Sequence, residues 1–121
     1  MKMRPDDQQP FMPPDDFGRT LTGLTLNVLV RDMERAVLFQ TKVLGSTLVY
    51  SDPDITIVRG FGAQWMIHSD HTYDNHQLHG YIAGTKVRGV GAEFRLHGCD
   101  PDSAEKAAIA HNFKILSLIH I

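Results

Sequence analysis

The chain has 121 residues, of which 42% are hydrophobic and 21% charged, and its formal net charge is -2. That is the size of one globular domain, with no basic excess to draw it to nucleic acid or an anionic membrane. Its single cysteine, Cys99, excludes an intramolecular disulfide and a cysteine-rich zinc site. No stretch approaches the ~20 apolar residues of a membrane span, and the opening residues lack the apolar segment of a secretory signal, so the reading is cytoplasmic.

Residues 1–20 carry Pro5, Pro10, Pro13 and Pro14 and read as an extended arm, because proline excludes regular helix and central strand. Phe11, Met12 and Phe17 are placed to pin its later half to the body, while residues 1–9 read equally well as disordered. Leu24, Leu26, Val28 and Val30 alternate with Thr25, Asn27 and Leu29, which predicts a strand with one apolar face. Asp32 is a good helix N-cap. Met33, Ala36, Val37 and Val43 mark one side of a helix over residues 33–44, and Gly45 stops it. Ser46–Ser51 predicts a strand, Asp52-Pro53-Asp54 a turn, and Ile55–Arg59 a second strand. Gly60-Phe61-Gly62 then turns the chain into a third strand over Gln64–Ser69.

Residues 70–89 are polar, histidine-rich and punctuated by glycine, which predicts a loop with one helical turn near Gln77–Ile82. The opening pattern then returns. Val90, Ala92, Phe94 and Leu96 alternate with Gly91, Glu93, Arg95 and His97, and Asp100-Pro101 starts another helix. Ala104, Ala107, Ala108 and His111 share one face of that helix, and Lys114–Leu116 begins another strand. Leu24–Val30 and Val90–Leu96 superimpose at an offset of 66 residues, each leading into an Asp-capped helix. Such internal repetition predicts two units sharing one sheet.

The run Leu24–Gly45 resembles the opening of a vicinal oxygen chelate module, the superfamily of glyoxalase I, extradiol dioxygenases and bleomycin-resistance proteins. Asp32, Met33, Glu34, Arg35 and Ala36 match its helix start, Phe39 its mid-helix aromatic, and Val43-Leu44-Gly45 its helix end. The resemblance covers roughly residues 21–116. It implies an α+β fold of paired β-α-β-β-β modules forming a curved mixed-sheet cup. The first module spans 21–69, a linker 70–89, and a partial second module 90–116. Two more strands would be needed after Leu116, so the second module reads as truncated, with 117–121 a non-native tail.

In that superfamily the cup usually holds one divalent metal, with ligands from the first and last strands of each module. By strand position these fall at Thr25 or Asn27, at His68, and at Gly91 or Glu93, and the fourth ligand has no counterpart. His68 and Glu93 are thus the metal-binding candidates, for iron, manganese, zinc or nickel. The segment His68–His76, with His79 behind it, carries four histidines interspersed with aspartates. It reads as a metal site, a substrate-contacting wall or solvated surface. Glu93 and Arg95 form either a clamp for a polar substrate or a structural ion pair lining the concave sheet. Trp65, Met66 and Phe61 form either a pocket wall or core, and Tyr50 and Tyr73 are equally open.

No nucleophile elbow, phosphate-binding glycine loop or dinucleotide fingerprint occurs. Serine-type and nucleotide-dependent catalysis are not expected, and the resemblance implies a glyoxalase- or bleomycin-resistance-like protein binding a small molecule in a sheet-lined cup, through Asn27, Trp65, His68, Glu93 and Arg95. The alternative is a metal-dependent extradiol-type dioxygenase or glyoxalase-like lyase. An open sheet edge near Lys114–Leu116 and the apolar tail residues Leu116, Leu118, Ile119 and Ile121 predict self-association, as a homodimer.

Overall fold

The structure, a computed structural model, describes residues 1–116. It is α+β, with one open four-stranded mixed sheet and four short α-helices, α1 to α4, among the described residues. The chain runs through α1 (Pro14–Thr20), β1 (Asn27–Val30), α2 (Met33–Leu38), β2 (Thr47–Ser51), β3 (Ile55–Gly60), β4 (Ala63–Ser69), α3 (His79–Gly84) and α4 (Pro101–Ala110). The sheet order is β1-β4-β3-β2, with β1 parallel to β4 and the other pairs antiparallel. Among the described residues no helix is long and apolar enough to cross a membrane.

The helix start and the three strands after it lie close to where the cap and turns put them, and β1 keeps the latter part of the expected first strand. The Asp32 carboxylate accepts the Arg35 N–H and so satisfies one of the free donors at the start of α2. Gly45, at φ 73, gives the left-handed residue that ends the helical segment. That segment widens into a π-helical turn over Phe39–Val43, which the periodicity does not reveal. Asp52 Oδ1 accepts the N–H groups of Asp54 and Ile55 and builds the β2–β3 turn.

Alternation divides the sheet into two faces. Val28, Thr56, Val58, Trp65 and Ile67 face α2 and the π-helical turn: Thr56 Oγ1 lies 3.2 Å from Met33 Sδ, and Trp65 Nε1 donates to Gln40 Oε1 at 3.1 Å. Val58 and Ile67 are sealed there. Asn27, Tyr50, Ile57, Met66 and His68 face the other way.

This second face is covered in part by the N-terminal arm. Phe11 packs on Phe17 and on Tyr50, each at 5.6 Å, and the Tyr50 hydroxyl, which donates to Asp52 Oδ2 at 2.6 Å, also lies 3.1 Å from Gln9 O. Ile57 beneath is 1% exposed. The arm is not extended throughout, as the prolines imply. Pro14 occupies the first helical position of α1, where its missing N–H costs nothing, and Asp15, Asp16 and Arg19 suit the two helix ends.

Three expectations fail, two of them in the second half. Val90–Leu96 forms no strand: Gly89 and Gly91 have φ of 76 and 99, the chain turns between them, and Val90 is 85% exposed. The alternation is real but meets no neighbouring strand. Leu24, expected to pack on a helix, is fully exposed, and β1 begins only at Asn27. Lys114–Leu116 also forms no strand. Asn112, at φ 61, turns the chain back, and Phe113 packs on Phe39 at 5.1 Å. Arg35 holds this turn, donating to His111 O and Asn112 O while lying 3.8 Å over the Phe113 ring. The sheet edges are therefore β1 and β2, not residues 114–116. The tail 117–121 lies outside the described residues.

The β3–β4 hairpin turns on Phe61 and Gly62, both left-handed, at φ 55 and 78. This two-residue turn favours Asn-Gly, and an aromatic there is strained by about 1 kcal/mol. Phe61→Asn is expected to raise the urea midpoint, equivalent to a gain of roughly 0.5–1 kcal/mol. A lowered midpoint would show that the Phe61 ring, which lies against Gly98, contributes more than the strain costs.

Candidate functional site

Two of the five expected binding residues meet. Parallel pairing sets Asn27 beside Met66 and Leu29 beside His68, which puts Asn27 and His68 on one face at one end of the sheet. His68 Nδ1 lies 2.6 Å from Asn27 Oδ1, and Asn27 Nδ2 donates to the Tyr73 hydroxyl at 3.2 Å. An amide oxygen only accepts, so His68 carries a proton on Nδ1. Burial depresses the His68 pKa against the opposing pull of Asp52 and Asp54, so the ring is neutral near pH 7 and Nε2 keeps its lone pair. The Tyr73 ring stands edge-on to His68 at 6.4 Å and against His76 at 5.1 Å. Because the Tyr73 oxygen accepts from Asn27, its own proton is left to donate. The cluster thus offers an acceptor, His68 Nε2, next to a hydroxyl donor.

The other three residues are elsewhere. Trp65 is on the opposite face, bonded to Gln40, and is part of the packing between sheet and helix rather than a wall beside His68. Glu93 and Arg95 form an ion pair with each other on an exposed stretch. Among the described residues, neither hydrogen-bonds to Asn27 or His68, because the strand meant to carry them does not form. Met66 shares the His68 face, and Phe61 is in the exposed hairpin turn.

The other histidines of the segment His68–His79 have separate partners. His71 Nε2 donates to Asp54 Oδ1 at 2.6 Å, His76 Nδ1 accepts the Leu78 N–H, and His79 Nδ1 is 4.0 Å from Asp74. Among the described residues no three His, Cys, Asp or Glu side chains converge. Structural zinc and catalytic iron sites normally need three or more protein ligands, and here one imidazole nitrogen faces the corner while Glu93 is committed to Arg95. These donors do not fit a resident metal.

Sequence reasoning did not single out two polar anchors. Asp54 lies between the arm and the histidine loop: its carboxylate accepts from Met3 N, Arg4 N and His71 Nε2. Burial favours the neutral carboxyl, but these three bonds outweigh it and hold the Asp54 pKa below the usual carboxylate range. Arg88 pairs with both carboxylate oxygens of Asp70 at 2.6 Å and donates to Ile82 O and Leu29 O. Met66 N–H donates to Leu26 O, so the Leu26 carbonyl points toward β4 and that of Leu29 points out from the sheet edge, where Arg88 meets it.

No protein-family model, no curated protein and no solved structure matches this chain.

Proposed function

We propose that this chain binds a small oxygenated molecule at the corner formed by Asn27, His68 and Tyr73, as a member of the glyoxalase, bleomycin-resistance and dioxygenase group. The observation that carries this is the Asn27–His68 bond. The resemblance draws site residues from the first and last strands of a module, and β1 and β4 set these two residues side by side. The finer architecture belongs to the same proposal: Asn27–Ser69 is one β-α-β-β-β module, and α4 is the helix of a second.

The chemistry of the corner selects its ligand. Neutral His68 accepts a hydrogen bond from a hydroxyl through Nε2, and Tyr73 donates one to a neighbouring oxygen. Adjacent hydroxyl and carbonyl groups satisfy both, without a net charge to desolvate. The reading is binding rather than metal-dependent catalysis, because the donors present do not fit a metal.

Titration of the labelled chain with hydroxyacetone, followed by amide NMR shifts, tests it. Shifts are expected at Asn27, His68 and Tyr73, and His68→Ala is expected to weaken binding about tenfold, the loss of one buried hydrogen bond. Acetone, which lacks the hydroxyl, is expected to bind as weakly to the wild type as hydroxyacetone does to the variant. Shifts away from this corner, or an affinity unchanged in His68→Ala, would refute the proposal.

A further inference from the structure

A concavity lies at the β1 edge, beside the helical layer. It measures about 430 Å³, within the span of roughly 300–1,000 Å³ that small-molecule sites occupy. Its walls are apolar, formed by Leu29 and Val30 of β1, Ala36 and Phe39 of the helical segment, and Phe113 from the returning chain. Arg31, Asp32, Arg35 and Arg88 also line it.

The charges there do not cancel. Arg88 is neutralised by Asp70. Among the described residues, Arg31 and Arg35 form no salt bridge with any carboxylate. Asp32, the one carboxylate lining the groove, caps α2 through the Arg35 N–H. Two guanidinium charges therefore face one carboxylate across an apolar wall. Arg35 is fixed by His111 O, Asn112 O and the Phe113 ring, so it supplies field rather than new bonds. Arg31 has a single long bond, 3.5 Å to Lys86 O, and its planar fork matches a carboxylate in the two-pronged manner of arginine.

We infer that this groove binds a molecule with an apolar body and one carboxylate, the body on Phe39 and Phe113 and the carboxylate on Arg31. The site is independent of the Asn27–His68 corner. It differs from that corner in ligand class: an anion is favoured here, a neutral oxygenated molecule there.

Octanoate, below its micelle concentration, is the probe, with octanol as the uncharged control and amide NMR shifts of the full chain as the readout. Octanoate is expected to shift the amides of Leu29–Ala36 and Phe113 and to bind about tenfold more tightly than octanol, as one charge-assisted pair implies. Arg31→Gln is expected to remove that preference while leaving octanol binding and the thermal midpoint unchanged. His68→Ala is expected to leave octanoate binding unaltered, which separates this site from the corner. Equal affinity for octanoate and octanol, no effect of Arg31→Gln, or shifts confined to Asn27 and His68 would each overturn the inference.

Discussion

Arg88→Ala is expected to lower the free energy of unfolding by about 3 kcal/mol and to make the chain self-associate more than the wild type. Arg88 and Asp70 are each 23% exposed, and both carboxylate oxygens meet the guanidinium at 2.6 Å. Removing the cation leaves Asp70 with a poorly solvated charge and no ionic partner. Two carbonyls, Leu29 O and Ile82 O, also lose a donor. The self-association follows from where Leu29 lies. Its carbonyl is on the outer edge of β1, and the Arg88 side chain occupies the position that a strand from another molecule would take. Charged groups on an edge commonly block such pairing. Lysine restores the charge but not the two-pronged fit, so Arg88→Lys should recover only part of the stability. Urea unfolding and light scattering measure the two effects. A variant that stays within about 0.5 kcal/mol of the wild type, the range of ordinary surface substitutions, would show that the pair does not anchor this edge.

Asp54→Ala should cost nearly as much, about 2–3 kcal/mol, because a single carboxylate ties three segments together. It accepts from Met3 N at 2.7 Å, Arg4 N at 3.1 Å and His71 Nε2 at 2.6 Å, and is 14% exposed. The arm would lose its anchor on the β2–β3 turn and expose the Tyr50–Ile57 row below. The pH dependence has a fixed sign. The Asp54 pKa is depressed in the folded chain, so its stabilisation is complete above the ordinary carboxylate value of roughly 4 and is lost as pH falls through the lower folded value. In the Asp54→Asn variant that part of the acid sensitivity should vanish. Unfolding midpoints at about pH 6 and about pH 3, on either side of the carboxylate range, provide the test. If wild type and Asp54→Asn lose the same stability between the two, the anchor is not electrostatic.

The first half of the chain was legible because several local signals agree there. The alternation through Val28 and Val30, the Asp32 cap, the Gly45 stop and the Asp52-Pro53-Asp54 turn each fix one boundary, and they are mutually consistent. The second half carries the same kind of alternation at Val90–Leu96, but a strand needs a partner, and pattern alone does not supply one. The prolines of the arm were read as breakers, although Pro14 sits where proline favours a helix start.

In the site, Asn27 and His68 followed from strand position. Trp65, open between pocket wall and core, packs against the helical layer, because residues three apart on one strand point to opposite faces and His68 faces the other way. Tyr73 lies in the 3₁₀ turn Asp70–Tyr73 that follows β4, and only the three-dimensional course of that turn brings its hydroxyl to Asn27. Glu93 and Arg95 do pair, as one of their two readings had it, but they do so on the surface.

The strand order has a bearing on how the chain acquires its site. The β2–β3 and β3–β4 pairs are hairpins that close over short loops, whereas β1 and β4 are distant in the chain, with 41 residues separating the bonded Asn27 and His68 side chains. Long closures lose more chain entropy, and their contacts form after local ones. The meander can therefore exist without the corner, but the corner cannot exist without the meander. An opening that peels β1 away separates Asn27 from His68 while most of the sheet persists, so the Asn27–His68 bond reports that the longest closure within the sheet has been made.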